Sequence, residues 1–156
     1  GFNDEELIFV AKAEHYCALA EQCVTSVRAK LILWGTQREL IDRIIEHLCE
    51  KDFINERRYA YSYCESKLHC QHWGKTRISF QLRAKQLPRA IVEEVVNAIN
   101  PEEYRNSLLE LAQAKWSTYI KDDSPKSYQK LYLFLQTKGF EPSLIHEVVE
   151  EIKQNK

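Results

Sequence analysis

Apolar residues recur along this chain at intervals of three and four, as in Leu40, Ile44, Ile45 and Leu48, the spacing that lines one face of an α-helix. Period-two alternation, the mark of a half-buried strand, is weak throughout. The helical pattern also returns at long range. Leu31 precedes Leu40, Ile44 and Leu48; Leu82 precedes Ile91, Val95 and Ile99; Leu135 precedes Leu144, Val148 and Ile152. The spacing is nine, four and four each time, with the first two sets 51 residues apart and the last two 53. Gly35 and Gly139 hold the same slot, where a helix ends best on a left-handed residue, and Gln86 stands there in the middle copy. A further helix precedes each pair, over residues 4–24, 55–71 and 101–120. The unit is therefore three helices in about 50 residues, a length typical of helical repeats. It divides the chain into 1–54, 55–100 and 101–156. This predicts an all-α protein of three tandem three-helix repeats, stacked into an elongated, curved molecule in which each repeat buries part of its face on the next. A single irregular bundle would give no reason for helix-ending glycines at matched positions.

The helix starts carry their own signals. Thr36-Gln37-Arg38-Glu39 reads as a capping box, with Thr36 over the third helical amide and Glu39 reaching back. Asn100-Pro101 and Ser124-Pro125 each place a cap residue before a proline at the first helical position. Leu87-Pro88 and Glu141-Pro142 also put proline where a helix begins without losing a hydrogen bond.

Composition fits a soluble helical protein, 44% apolar and 29% charged. No uncharged run exceeds seven residues, against the roughly 20 a membrane span needs. The first residues lack the basic-then-apolar pattern of a secretory leader. Five irregularly spaced cysteines (Cys17, Cys23, Cys49, Cys64, Cys70) suit reduced, buried thiols in a cytoplasmic protein rather than a disulfide framework. Charge adds more. The net charge of -1 conceals -5 over residues 1–56, +7 over 57–89 and -3 over 90–156. A cationic block between acidic flanks points to a polyanionic or acidic partner.

That block supplies the candidate binding residues: Arg57, Arg58, Lys67, Lys75, Arg77, Arg83, Lys85 and Arg89. Lys75 and Arg77 fall at a helix start, where backbone amides favour an anion and a cation does nothing for the helix itself. Tyr59 and Tyr63 share a helical face and read as core. Tyr61 and Trp73 are candidates for stacking on a base or packing on a partner, with packing between helices the better reading for Trp73. Cys64, His69, Cys70 and His72 lack the paired spacing of a structural zinc site, so no metal is expected. Glycine-rich phosphate loops, nucleophile elbows and zincin motifs are all missing from the sequence, which speaks against an enzyme.

Two stretches resemble the RecX family. Phe53-Ile54-Asn55-Glu56-Arg57-Arg58-Tyr59-Ala60, with Tyr63 and Lys67, is similar to the family's apolar residue, acidic turn and aromatic-alanine pair opening a basic helix. Gly74-Lys75-Thr76-Arg77-Ile78, followed by Leu82 and Leu87, resembles the next helix, and Lys138-Gly139-Phe140 the helix end of the third repeat. Asn55 stands where aspartate is usual, Tyr59 for phenylalanine, Lys75 for proline and Gln86 for glycine. The resemblance covers nearly the whole chain. It implies a non-enzymatic regulator, without cofactor, that binds RecA recombinase filaments on single-stranded DNA. Such proteins lie along the filament groove and inhibit strand exchange and ATP hydrolysis. A monomer that could also touch single-stranded DNA is expected. The alternatives are an independent DNA-binding protein of helix-turn-helix type, and a purely protein-binding scaffold. The acidic outer repeats would be repelled by a long DNA footprint, which disfavours the first; binding that persists at high salt would mark the second.

Overall fold

A computed structural model describes residues 1–119 and 125–155. Among these residues the chain is all-helical, with nine helices: α1 (Asp4–Leu19), α2 (Val24–Leu33), α3 (Arg38–Glu50), α4 (Glu56–Gln71), α5 (Lys75–Ala84), α6 (Arg89–Asn97), α7 (Pro101–Tyr119), α8 (Pro125–Thr137) and α9 (Pro142–Gln154). They form three successive triplets, and within each triplet every helix packs on the other two. The tandem three-helix repeat is thus the architecture. The first helix ends at Leu19, earlier than the spacing predicts, and Cys23 becomes the N-cap of α2.

The matched sequence positions do matched work. Leu31, Leu82 and Leu135 are fully buried in their triplets. Gly35, Gln86 and Gly139 all adopt positive φ, at 78°, 64° and 97°, so the middle copy keeps the left-handed turn without glycine. At the first turn the Gly35 N–H donates to the Ile32 carbonyl (3.0 Å) and the Thr36 N–H to the Leu31 carbonyl (3.1 Å), the paired closure of a Schellman motif. Leu87 and Phe140 occupy the slot of Thr36 in the other repeats, and all three are buried. This explains why the expected capping box does not form. Thr36 is drawn into the closure of α2, Gln37 becomes the N-cap of α3 without a side-chain bond, and the buried Thr36 hydroxyl finds no partner. Elsewhere the caps hold: Asn55 accepts from the Arg58 amide (3.0 Å), and Asn100 from the amides of Glu102 (2.9 Å) and Glu103 (3.0 Å). Pro88 sits one residue ahead of α6 as its N-cap, and Pro142 opens α9. The cap expected at Ser124 lies outside the described residues.

Two substitutions follow from these turns. Gln86→Gly removes the cost of a left-handed side-chain residue, and Thr36→Val removes an unpaired buried hydroxyl; each is expected to raise stability by about 1 kcal/mol. Urea denaturation should show both midpoints rising. A fall in either would contradict the turn assignment.

The repeats are not equivalent in how they join. The second and third share one core, running from Ala60, Leu68 and Leu82 through Leu108 and Leu135 to Ile152. The first keeps its own, built on Val10, Ala13, Val27, Leu31, Ile44 and Leu48. One continuous core for the whole chain is therefore not what forms. Between the second and third repeats, α4 packs on α7, and the α8 turn docks end-on against the start of α5. Gly74 lies so close to this turn that a Cβ there would sit 2.3 Å from the Gly139 carbonyl carbon. Buried Ser107 spans the same joint, donating to the Leu68 carbonyl (2.9 Å) and lying 2.9 Å from His72 Nδ1.

The joint between the first and second repeats is mainly polar. The Val24 N–H donates to Glu56 Oε2 (3.2 Å), and the Thr25 hydroxyl to the Lys85 carbonyl (3.1 Å). Arg58 bonds to Glu21, to Asp52 Oδ2 (3.0 Å) and to the Asp52 carbonyl (3.0 Å). Cys23 is the apolar plug, contributed by the first repeat to the core of the other two.

Candidate binding surface

The cationic block does not form one patch, because α4 divides it. Its buried stripe is Ala60, Cys64 and Leu68. On one side Arg57 and Tyr61 face α6, where both bind Glu94: Arg57 Nε donates at 2.9 Å and the Tyr61 hydroxyl at 3.2 Å. On the other side Tyr59, Tyr63 and Lys67 run as one flank towards Trp73, with Tyr59 and Tyr63 centroids 5.8 Å apart and Tyr63 edge-on to Trp73 at 6.4 Å. Both tyrosines are partly buried against the core, as their spacing predicts.

Trp73 is half-buried and packs between helices, and its ring is the focus of the surface. Lys67 Nζ lies 4.8 Å from the ring centroid and Arg77 Cζ 4.2 Å. Neither cation is in an ion pair among the described residues. Lys138, from the third repeat, approaches the same point: burial, with the charge of Arg77 added, holds its ammonium below the ordinary lysine range. The result is a cluster of positive charge at the joint of the second and third repeats.

The other candidates are committed differently. Arg58 is a strut of the first joint. Arg89 pairs with Glu93 at 3.0 Å. Arg83 is exposed beside Ser79 and the exposed ring of Phe80. Lys85 is half-exposed, its carbonyl taken by Thr25. Lys75 lays its ammonium 4.8 Å from the Tyr104 ring centroid. The anion site expected at the amides of α5 is filled by protein: the Gly74 N–H donates to the Lys138 carbonyl (2.7 Å), the Lys75 N–H to Tyr104 Oη (2.9 Å) and the Thr76 N–H to the Gly139 carbonyl (3.1 Å). The cation pair at that helix start belongs to the joint instead.

Sequence reasoning misses cations outside the block that rings hold in the same way. Lys12 Nζ lies 4.6 Å from Trp34, Lys30 Nζ 5.4 Å from Tyr16 and Lys115 Nζ 4.6 Å from Phe134. The four-residue spacings Lys12–Tyr16 and Lys115–Tyr119, matching Tyr63–Lys67, are the signal that could have found them.

Cys64, His69, Cys70 and His72 are not gathered at one centre. Cys64 is buried, Cys70 is exposed, and His72 turns to Ser107. Among the described residues no three His, Cys, Asp or Glu side chains are placed to hold a metal ion. All five cysteines are free, but only Cys17, Cys23 and Cys64 are buried as expected; Cys49 and Cys70 are exposed. Burial pushes the Cys17 thiol up to about 11 and that of Cys64 to about 12, so neither is a nucleophile near neutral pH. Among the described residues no helix is long and apolar enough to cross a membrane.

Comparison with known proteins matches this geometry to a family. Residues 55–96 match the model of the second three-helix domain of RecX, and residues 102–149 that of the third. The chain is 36% identical over 127 residues to the regulatory protein RecX of Clostridium botulinum (strain Eklund 17B / Type B), covering 80% of this chain and 59% of the relative. It is 32% identical over 130 residues to that of Clostridium acetobutylicum, covering 81% and 60%. It thus spans about three fifths of the length of these curated relatives. The crystal structure of RecX from Lactobacillus salivarius superposes with a TM-score of 0.82 at 23% identity, over 97% of this chain and 98% of that one. A second crystal structure of a regulatory protein RecX gives 0.84 at 22% identity, over 95% and 72%. The two domain models together take in more than half of the sequence, and each falls on one of the three-helix triplets, α4 to α6 and α7 to α9: the chain belongs to the RecX family.

Proposed function

We propose that this chain regulates the RecA recombinase by binding its filament on single-stranded DNA, restraining ATP hydrolysis and strand exchange without catalysing a reaction of its own. It acts in the cytoplasm as a monomer and needs no cofactor. Membership in a family of regulatory proteins supports the role. The observation that carries the site is the cluster of Lys67 and Arg77 over Trp73, with Lys138 beside it. A cation resting on a ring keeps its full charge, whereas one paired with a carboxylate does not, so this cluster presents the net positive field that a filament carrying DNA would meet. Arg57, Arg58 and Arg89, tied to carboxylates, contribute less.

The test is co-sedimentation with RecA filaments assembled on single-stranded DNA with a non-hydrolysable nucleotide. The Lys67→Glu, Arg77→Glu double variant is expected to lose about tenfold or more in affinity, the scale for reversing charges at a complementary interface. Its thermal melt should show the fold retained. Undiminished binding by the folded variant would remove this surface from the interaction.

A further inference from the structure

We infer that ring-held cations of all three repeats, joined by Lys138, form one track for the phosphodiester backbone of a single nucleic-acid strand: Lys12 and Lys30 in the first, Lys67 and Arg77 in the second, and Lys115 in the third, with Lys138 beside Arg77 at the joint. This deepens the reading above by naming a surface and a ligand, and rests on that reading only for its biological setting.

The placement is repeated. In the first helix of every triplet, the cations and rings come one position ahead of the buried residues. Lys12 and Tyr16 precede Ala13 and Cys17; Tyr59, Tyr63 and Lys67 precede Ala60, Cys64 and Leu68; Lys115 precedes Trp116. One step around a helix is about 100°, so the same flank is used three times. The second helices add to it from matched positions, Lys30 ahead of buried Leu31 and Phe134 ahead of buried Leu135. The flanks meet at the joints: Cys23 of the first repeat is buried in the core against which Tyr59 packs, and Gly139, next to Lys138, lies directly against Arg77.

Two kinds of cation stand out. Arg28, Arg57, Arg58, Arg89 and Arg105 are in ion pairs with carboxylates. Lys12, Lys30, Lys67, Arg77 and Lys115 lie 4.2–5.7 Å from ring centroids, and none of them is in an ion pair among the described residues; Lys75, 4.8 Å from the Tyr104 centroid, is a further cation of this kind and is not assigned to the track. Arg43 and Lys153 combine a ring with a carboxylate and fall outside the track. A ring orders the long side chain without neutralising it, so less rotamer freedom is lost when a phosphate arrives. Each charge but Lys138 has a ring beside it, which offers stacking faces next to the backbone of a single strand. A duplex would reach the acidic residues that give the outer segments their net negative charge.

The experiment is fluorescence anisotropy of a labelled oligothymidylate, long enough to cross three repeats, titrated with the full chain over a series of salt concentrations. Lys12→Gln with Lys30→Gln, far in sequence from the cationic block, should weaken binding several-fold. It should also lower the salt slope by about 1.4, at roughly 0.7 for each phosphate of a single strand that a cation no longer neutralises. Lys115→Gln with Lys138→Gln should do the same. Arg28→Gln with Arg105→Gln removes equal charge from paired positions outside the binding surface and should change neither. No binding by the wild type, unchanged slopes in the track variants, or an equal loss in the control would overturn the track. So would competition by polyglutamate equal to that by the oligonucleotide, which would transfer the surface to an acidic protein. No recombinase is present, so the two ideas fail separately: a failed track with intact filament co-sedimentation leaves the regulator standing, and the converse leaves the track.

Discussion

Leu31→Ala is expected to unfold the first repeat ahead of the rest, whereas the matched Leu82→Ala should weaken the second and third together. Both leucines are fully buried and stand at the same place in their repeats. Each truncation leaves a cavity costing about 3 kcal/mol, within the range for a buried leucine cut to alanine. What differs is the core. Leu31 belongs to the cluster of the first repeat, and Leu82 to the one that continues into the third. The first joint rests on hydrogen bonds and the Arg58 ion pairs, which hold weakly once one side has loosened. Hydrogen exchange read by mass spectrometry distinguishes the cases. Leu31→Ala should speed exchange roughly a hundredfold in α1 to α3, as about 3 kcal/mol implies, and leave α4 to α9 near wild type. Leu82→Ala should speed exchange across α4 to α9. A uniform rise in both variants would mean that the chain unfolds as one unit and that the division of cores has no energetic content.

Gly74→Ala should be severely damaging for the addition of a single methyl. Gly74 has an ordinary φ of -84°, so alanine is not opposed by backbone conformation. It is opposed by sterics: the added Cβ would lie 2.3 Å from the carbonyl carbon and oxygen of Gly139 and 2.4 Å from the Phe140 nitrogen. All three are backbone atoms, so no rotamer relieves the clash, and the turn must back away from α5. Retreat would stretch the bonds from the Gly74 and Thr76 amides to the Lys138 and Gly139 carbonyls. A loss of about 3 kcal/mol or more is expected, the size of effect that marks overpacking together with broken buried hydrogen bonds. For a chain of this length that lowers the melting temperature by roughly 6–12 °C. A melt within a degree of wild type would show that the two repeats do not meet as closely as described.

Much of the fold is legible in the sequence because its periodicity is physical. The nine-four-four spacing survives in all three copies because Leu31, Leu82 and Leu135 must fill the same buried slot. Gln86 shows the limit of composition: its left-handed turn is visible only by alignment with Gly35 and Gly139, since the residue itself does not ask for it. Thr36 misleads because its side chain suits a cap, while its position, one past a left-handed turn, commits it to the preceding helix. The division of cores is not legible, because neighbouring repeats carry the same pattern whether or not they share an interior. For the surface, charge counting finds the second repeat but not which cations are free. Arg58 and Lys67 look alike in sequence; one is a strut and the other rests on tryptophan. Lys12 with Trp34 and Lys115 with Phe134 are brought together only by packing between helices.

Whether this chain restrains a recombinase filament is tested most directly by titrating it into single-stranded-DNA-dependent ATP hydrolysis by the RecA of the same cell. Hydrolysis is predicted to fall at well below one chain per RecA protomer, because a bound regulator affects many subunits of the filament. Hydrolysis unchanged at equimolar protein, with the chain folded throughout, would contradict it.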